Sequence, residues 1–209
     1  MTHIAVIDYG MGNLRSVAKA LEHVAPRAQI IVTSEPAAVA RADRVVFPGQ
    51  GAMPDCMREL DACGLREAVL EGARSKPFLG ICLGLQMLFE MSEEGDVPGL
   101  AILPGRVKRF PEAQMAEAHL KVPHMGWNEV AQVRPHLLWN GIADGTRFYF
   151  VHSYYVEPRE RALVAGETYY PDAFTSSVAS DNIFAVQFHP EKSHTAGLQL
   201  LSNFASWKP

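Results

Sequence analysis

Short apolar runs alternate with helical patterns through the first half of the chain. The runs are rich in β-branched and aromatic residues and end in turn residues, which is typical of buried parallel strands. They are Ile4–Ile7, Ile30–Val32, Val45–Phe47 and Phe78–Ile81. Between them, Leu14, Val17 and Leu21 recur with helical spacing, and the segment 65–73 has the same character. The alternation predicts an α/β fold with a mostly parallel open sheet flanked by helices.

The pattern changes from about Arg106 to short strands and turns. Each predicted strand is a short stretch in which residues are apolar or alternate between apolar and polar, and turn residues lie at its ends. They are Arg106–Phe110, Leu120–Val122, Arg147–Val151, Ala162–Glu167 and Ile183–Phe188. The chain closes with a predicted helix from about Thr195. Because neither an internal repeat nor a linker separates this β-rich second half from the first, we expect one domain over residues 1–209.

Composition narrows the function class. The 209 residues are 48% hydrophobic and carry a formal net charge of −4, which excludes a disordered chain and argues against nucleic-acid binding. Three cysteines without CxxC spacing fit neither a disulfide framework nor a zinc site, and the histidines show no metal-ligand spacing. Neither a signal peptide nor a membrane-spanning run is evident. We therefore expect a cytoplasmic protein that needs no metal or other cofactor and contacts no membrane.

A cysteine lies in a glycine-rich turn where a strand meets a helix. Gly80-Ile-Cys-Leu-Gly84 follows the apolar run Phe78–Ile81 and precedes a predicted helical stretch, Leu85–Glu90. Such a turn exposes its central side chain, and the flanking glycines avoid clashes with neighbouring backbone. Helix N-terminal N–H groups can favour a thiolate and bind a developing oxyanion. Cys82 is thus a candidate nucleophile, although a buried structural cysteine remains an equal alternative on this motif alone.

A cysteine nucleophile needs a base, and the base needs an orienting group. His189-Pro190-Glu191 follows the strand Ile183–Phe188 and offers both. Residues two apart in an extended segment share a face, so Glu191 can reach the ring of His189. The tripeptide alone would more often be a surface turn. Together with the Cys82 turn, at the ends of strands in a parallel sheet, it predicts a catalytic site.

A third glycine-rich turn follows the strand Val45–Phe47. Pro48-Gly-Gln-Gly51 is too short for a phosphate-binding loop and lacks its lysine. Its glycines would let backbone N–H groups approach a substrate, which favours a second wall of an oxyanion hole.

These three motifs, in this order, resemble those of the class I (triad-type) glutamine amidotransferases, a family with a flavodoxin-like open sheet. The segments 8–14, 121–128 and 150–154 also resemble one branch of that family and extend the likeness over nearly the whole chain. Members of that branch supply ammonia to a (β/α)₈-barrel cyclase subunit that makes imidazole glycerol phosphate in histidine biosynthesis. One departure is Gln50, where this branch more often has valine.

The resemblance implies a role for each matching residue. Cys82 would attack the side-chain amide of glutamine, His189 would move the proton, and Glu191 would orient His189. The oxyanion would be held by Leu83 and the Gly49-Gln50 segment. The glutamine α-amino and α-carboxylate groups would be held by Gly51, Gln86, Glu94, Ser153 and Tyr154.

The resemblance also implies a heterodimer with the barrel-shaped cyclase. The docking segment would include Lys121, Met125, Trp127 and Asn128, and Met and Trp are residue types that interface cores favour. From composition alone, a Trp buried beneath a loop is an equal alternative. Three other functions stay open: a glutaminase subunit serving a different acceptor, a stand-alone cysteine γ-glutamyl hydrolase, and a binding module with an inactive cysteine turn.

Overall fold

Strands and helices alternate through the first half of the protein in a computed structural model, which describes residues 1–209. The elements of this half are β1 (His3–Ile7), α1 (Leu14–Val24), β2 (Gln29–Thr33), α2 (Pro36–Arg41), β3 (Arg44–Gly49), α3 (Met53–Ala62), α4 (Arg66–Ser75), β4 (Phe78–Cys82) and α5 (Leu83–Gln86). The four predicted strands are all present, which confirms the α/β pattern.

The second half is mainly antiparallel. It contains β5 (Met91–Ser92), β6 (Val97–Pro98), β7 (Gly105–Arg109), α6 (Glu112–Glu117), β8 (His124–Gln132), β9 (Thr146–His152), β10 (Tyr154–Pro158), β11 (Val164–Tyr169), β12 (Ala173–Ser180), β13 (Ile183–Val186) and α7 (His194–Ser206). Three single-turn 3₁₀ helices lie at Leu137–Trp139, Arg161–Leu163 and Pro190–Lys192.

One sheet of 13 strands connects the two halves. Its first part has the order β2-β1-β3-β4-β13, and these neighbours are all parallel. From β13 onward, β12, β10 and β7 continue the sheet in antiparallel fashion. The carboxyl ends of β3, β4 and β13 therefore meet at one edge, which is where open α/β sheets place their sites.

Each face of the parallel strands is covered by helices. Val17 and Leu21 of α1 pack with Leu200 and Phe204 of α7 in one apolar cluster. On the other face, α2, α3 and α4 contribute to a second cluster that includes Val39, Leu60 and Val69. With these side chains removed from water, burial of apolar area is the main stabilising term of the fold.

Two sequence predictions were wrong, one in each half of the chain. Leu120–Val122 is not a strand, and the strand of this region is β8, which starts at His124. β8 was missed because it reverses the usual alternation: Met125 and Trp127 are exposed, whereas the polar His124 is buried. The helix after Cys82 is also shorter than predicted, since α5 ends at Gln86.

None of the seven α-helices has both the length and the apolar character needed to cross a membrane.

Candidate active site

The turn at Cys82 joins β4 directly to α5. Cys82 has φ 55° and ψ −113°, an unusual conformation for a residue that has a Cβ atom. Such strain persists only where the surrounding packing enforces it, and it is common at functional sites. The conformation turns the Cys82 side chain toward a pocket at the edge of the sheet, while the residue stays largely buried.

Two glycines allow the end of β3 to approach this turn. Gly49 pairs with Cys82 in the sheet, and a Cβ atom on Gly49 would lie 2.8 Å from the Gly84 nitrogen. A Cβ atom on Gly84 would lie 1.8 Å from the Phe47 carbonyl oxygen, which no side chain could tolerate. The close contact therefore requires glycine at both positions. In this structure the left-handed glycine of the β3 turn is Gly51, with φ +111°, rather than Gly49.

His189 and Glu191 lie at the end of the neighbouring strand β13. Nδ1 of His189 is 2.8 Å from Oε1 of Glu191, and the Glu191 side chain is only 1% exposed. Their contact was predicted across an extended segment, but Pro190–Lys192 forms a 3₁₀ turn instead. The tight turn still brings the carboxylate back to the ring. Nε2 of His189 has no hydrogen-bond partner and is buried.

The surroundings of His189 favour its protonated form. Burial lowers the pKa of His189, but the neighbouring Cys82 and the hydrogen-bonded Glu191 outweigh burial and raise it to about 10. At neutral pH the imidazolium can therefore donate Nδ1–H to Glu191 and carry a second proton on Nε2. A cationic ring next to a cysteine sulfur is the arrangement that activates cysteine nucleophiles.

A pocket of about 250 Å³ opens in front of Cys82 and His189. Its other lining residues that the sequence had singled out are Gln50, Gly51, Leu83, Gln86, Glu94, Ser153 and Tyr154. Gly49 and Glu191 do not line the pocket, since Gly49 packs against the Cys82 turn and Glu191 lies behind His189. The remaining lining residues, Pro123, Val151 and His152, were not among the predicted site residues.

Two polar side chains give the pocket wall acceptor character. Oε2 of Glu94 accepts a hydrogen bond of 2.8 Å from the Met53 backbone N–H. Burial raises the pKa of Glu94, partly offset by that hydrogen bond. Gln86 uses its side-chain nitrogen within the protein, while its Oε1 is buried and unpaired. Together they leave carboxylate and amide oxygens for a cationic or N–H-bearing ligand.

All three cysteines are free, and nowhere do three His, Cys, Asp or Glu side chains gather closely enough to hold a metal ion.

The chain resembles known proteins over its full length. The family model of glutamine amidotransferase class I matches residues 5–206. The chain belongs to the class I glutamine amidotransferase family. It is 69% identical to the imidazole glycerol phosphate synthase subunit HisH of Aromatoleum aromaticum and 68% identical to the subunit of that name from Nitrosospira multiformis. Each alignment covers 100% of both chains, so the likeness of this amidotransferase to the HisH subunits extends over its whole length.

Solved structures share the fold of this amidotransferase. A crystal structure of a glutamine amidotransferase superposes with a TM-score of 0.71 at 16% identity, covering 98% of this chain and 99% of that chain. A glutamine amidotransferase from Thermotoga maritima superposes with a TM-score of 0.61 at 18% identity, covering 91% and 76%. The predicted fold class is thereby confirmed.

The residues predicted to contact a partner do not share one face. Met125 and Trp127 point to the same side of β8 and are 62% and 44% exposed, so the interpretation of Trp127 as buried is wrong. The Trp127 ring stacks on the ring of His194, at 5.0 Å between centroids. The Asn128 amide is instead engaged with the His124 ring and the Tyr169 carbonyl oxygen. Lys121 lies before β8, in a segment tied by its backbone to the Tyr170 hydroxyl.

Two buried polar residues of the amidotransferase were not assigned to the site from sequence. His152 donates from Nδ1 to the Tyr154 carbonyl oxygen at 2.8 Å, and its Nε2 meets Nδ1 of His124 at 2.9 Å. Burial lowers the pKa of His152 to about 3, so both its bonds are made by the neutral ring. Gln187, which reaches the Cys82 sulfur, could have been noticed because it lies two residues before His189, on the same face of an extended chain.

Proposed function

We propose that this amidotransferase hydrolyses L-glutamine to glutamate and ammonia with a Cys82–His189–Glu191 triad, as a single domain over residues 1–209. One observation carries the proposal. Cys82 and the imidazole of His189 line the same pocket, and Glu191 holds that imidazole from behind at 2.8 Å. This is the arrangement of nucleophile, base and orienting carboxylate that triad hydrolases use.

Acylation forms the first covalent intermediate. The Cys82 thiolate attacks the carbon of the glutamine side-chain amide, and its electron pair forms the C–S bond. The carbonyl oxygen becomes an oxyanion, and His189 then gives its Nε2 proton to the nitrogen as the C–N bond breaks. Ammonia leaves, and a glutamyl thioester remains on Cys82.

Hydrolysis restores the enzyme. Neutral His189 takes a proton from water as the water oxygen attacks the thioester carbon. The C–S bond breaks and regenerates the thiolate beside the imidazolium. The new side-chain carboxyl group gives its remaining proton to solvent, and glutamate leaves. Glu191 keeps Nδ1 protonated throughout, so that Nε2 always faces the reacting atoms.

Backbone N–H groups would stabilise the oxyanion of both steps. One is the N–H of Leu83 at the start of α5, and the other comes from the Gly49-Gln50 segment at the end of β3. Gln50 and Leu83 both line the pocket next to Cys82. Removal of one such donor costs about 10²–10³-fold in kcat in a measured protease, so both matter for rate.

The far end of the pocket suits the α-amino and α-carboxylate groups of glutamine. Glu94 and the unpaired Oε1 of Gln86 supply acceptors for an α-ammonium group. Gly51, Ser153 and Tyr154 lie in the same lining and would hold the carboxylate. Binding glutamine at both charged groups fixes its side-chain amide in front of Cys82.

The ammonia would pass to a (β/α)₈-barrel cyclase subunit that makes imidazole glycerol phosphate in histidine biosynthesis. The name of the HisH relatives, subunits of imidazole glycerol phosphate synthase, supports a partner subunit. The exposed Met125 and Trp127 support docking of that partner on the outer face of β8, with Lys121 and Asn128 at its border.

The test uses the complex with the cyclase and measures product formation with either glutamine or added ammonia as the nitrogen source. Cys82→Ala should abolish product formation from glutamine, because the nucleophile is lost, and should leave formation from added ammonia unchanged. Cys63→Ala, at an exposed free cysteine, is the matched control and should keep both activities. Substantial glutamine-dependent turnover in Cys82→Ala would refute the triad, and failure of the wild-type complex to use ammonia would refute the proposed acceptor.

A further inference from the structure

A second buried glutamine joins the pocket wall to the Cys82 sulfur. Gln187 follows β13 and is completely buried. Its Nε2 lies 3.7 Å from the Cys82 Sγ atom, within hydrogen-bond range for sulfur. Its Oε1 accepts a hydrogen bond of 2.9 Å from Nε2 of Gln86. The mechanism above does not use Gln187.

The donor and acceptor roles of the two side-chain amides, Gln86 and Gln187, are fixed by a carbonyl oxygen that can only accept. Nε2 of Gln86 lies 3.0 Å from the Tyr154 carbonyl oxygen, which can only accept. The other hydrogen of the same nitrogen then donates to Gln187 Oε1. That contact turns the Gln187 nitrogen, and not its oxygen, toward the Cys82 sulfur. Reversing either amide would bring two acceptors or two donors together in a buried space.

We propose that Gln187 is a positioning residue of the glutaminase site, which donates a hydrogen bond to the Cys82 thiolate and keeps Gln86 Oε1 free for the substrate. This inference rests on the proposed function, since it gives Cys82 the role of nucleophile. A thiolate is a stronger hydrogen-bond acceptor than a thiol, so an N–H donor favours the ionised form. A neutral amide adds no charge that would compete with His189.

The same residue accounts for the unpaired oxygen in the pocket. With its nitrogen held by both Tyr154 and Gln187, Gln86 can only present Oε1 outward, where it is buried without a partner. A buried acceptor left unpaired is costly unless a ligand satisfies it. Loss of Gln187 would free Gln86 to rotate, and the KM for glutamine should then rise as well.

The experiment measures how fast Cys82 is alkylated by iodoacetamide as the pH is raised, in the full complex, with peptide mapping to isolate Cys82 from the other two cysteines. Gln187→Met keeps the length of the side chain and removes the donor. Gln187→Glu keeps the shape and places a carboxylate against the sulfur. His189 and Tyr9 are the titratable groups that interact with the sulfur, and neither variant changes them.

We expect the midpoint of the pH–rate curve to rise by about one pH unit in Gln187→Met, as loss of a hydrogen bond to a charged group implies. Gln187→Glu should shift it further, because the carboxylate repels the thiolate. The matched controls are Gln132→Met and Gln132→Glu, since the Gln132 amide donates to the Ile142 carbonyl oxygen away from the pocket. They should leave the midpoint unchanged.

An unchanged midpoint in folded Gln187→Met would overturn the proposal, as would a shift of equal size in the Gln132 controls. Folding is checked by circular dichroism and thermal unfolding. If both Gln187 variants fail to fold, the residue is a core element and the proposal is wrong. Alkylation requires no glutamine turnover, so failure of this proposal is distinct from failure of the triad, which Cys82→Ala reports.

Discussion

The turn at Cys82 and the outer face of β8 are built in opposite ways. At the turn, the end of β3 and the start of α5 touch so closely that Gly49 and Gly84 have no room for a Cβ atom. On β8, Gly126 has nothing within 4 Å of an added Cβ, and the flanking Met125 and Trp127 are exposed. The first region is fixed by contacts within the chain, whereas the second leaves apolar surface free.

The two regions therefore serve different tasks: the Cys82 turn serves catalysis, and the exposed face of β8 serves binding of a partner subunit. A backbone held by close contacts can keep a strained nucleophile in place without any other subunit. An exposed Met and Trp are instead typical of surfaces that another protein covers. Substitutions near Cys82 should therefore change catalysis or folding, and truncation of the exposed β8 side chains Met125 and Trp127 should change association alone.

The largest effect is expected at Glu191. Glu191→Gln removes the negative charge behind His189, and the equivalent change in a serine protease triad lowers kcat by about 10⁴-fold. We expect a folded protein with a loss of that order in glutamine-dependent kcat, measured in the complex. Glu71→Gln, at an exposed carboxylate of α4 paired with Arg74, should have no effect. Near wild-type turnover in Glu191→Gln would remove it from the triad.

A comparison of two glycine variants tests the packing difference directly. Gly84→Ala forces a Cβ atom onto the Phe47 carbonyl oxygen and should lower the free energy of unfolding by about 3 kcal/mol or more. Gly126→Ala meets no atom but has φ +133°, so its cost should be only about 1 kcal/mol of backbone strain. Urea unfolding of both variants measures the difference. Equal costs would contradict the contrast between the two regions.

The smallest of the three effects concerns docking. Trp127→Ala should weaken binding of the cyclase by roughly 2 kcal/mol, about 30-fold in Kd, and leave the monomer folded. Titration calorimetry with the cyclase measures it. Leu137→Ala, another exposed apolar residue away from β8, should bind normally. Unchanged binding by Trp127→Ala would place the docking surface elsewhere.

The elements that the sequence predicted best are those whose local pattern and packing agree. Val45–Phe47 and Phe78–Ile81 are buried on both sides, so a continuous apolar run marks them. β8 escaped prediction because its side chains alternate between an open surface and hydrogen bonds such as that of Asn128. β8 is a strand because it pairs with β9, and the local sequence pattern carries no information about that pairing.

The candidate site, like the fold, could be predicted in part from the sequence. Strand-end motifs indicated Cys82 and His189, because parallel strands bring their carboxyl ends to one edge. Resemblance to the family indicated the pocket residues, which spacing alone would not have joined. Gln187 and His152 were not assigned to the site, since Gln187 reaches the distant Cys82 and His152 reaches His124 on the neighbouring strand.

Selective labelling tests the central claim, that Cys82 is the residue that attacks glutamine. The complex is treated with a glutamine analogue whose side-chain amide is replaced by an electrophilic ketone, and the adduct is located by peptide mass spectrometry. The protein has three free cysteines, Cys56, Cys63 and Cys82. We expect an adduct on Cys82 alone, formed as glutamine-dependent activity is lost and prevented by excess glutamine. Loss of activity with the adduct on Cys56 or Cys63, or full labelling of Cys82 with activity retained, would contradict it.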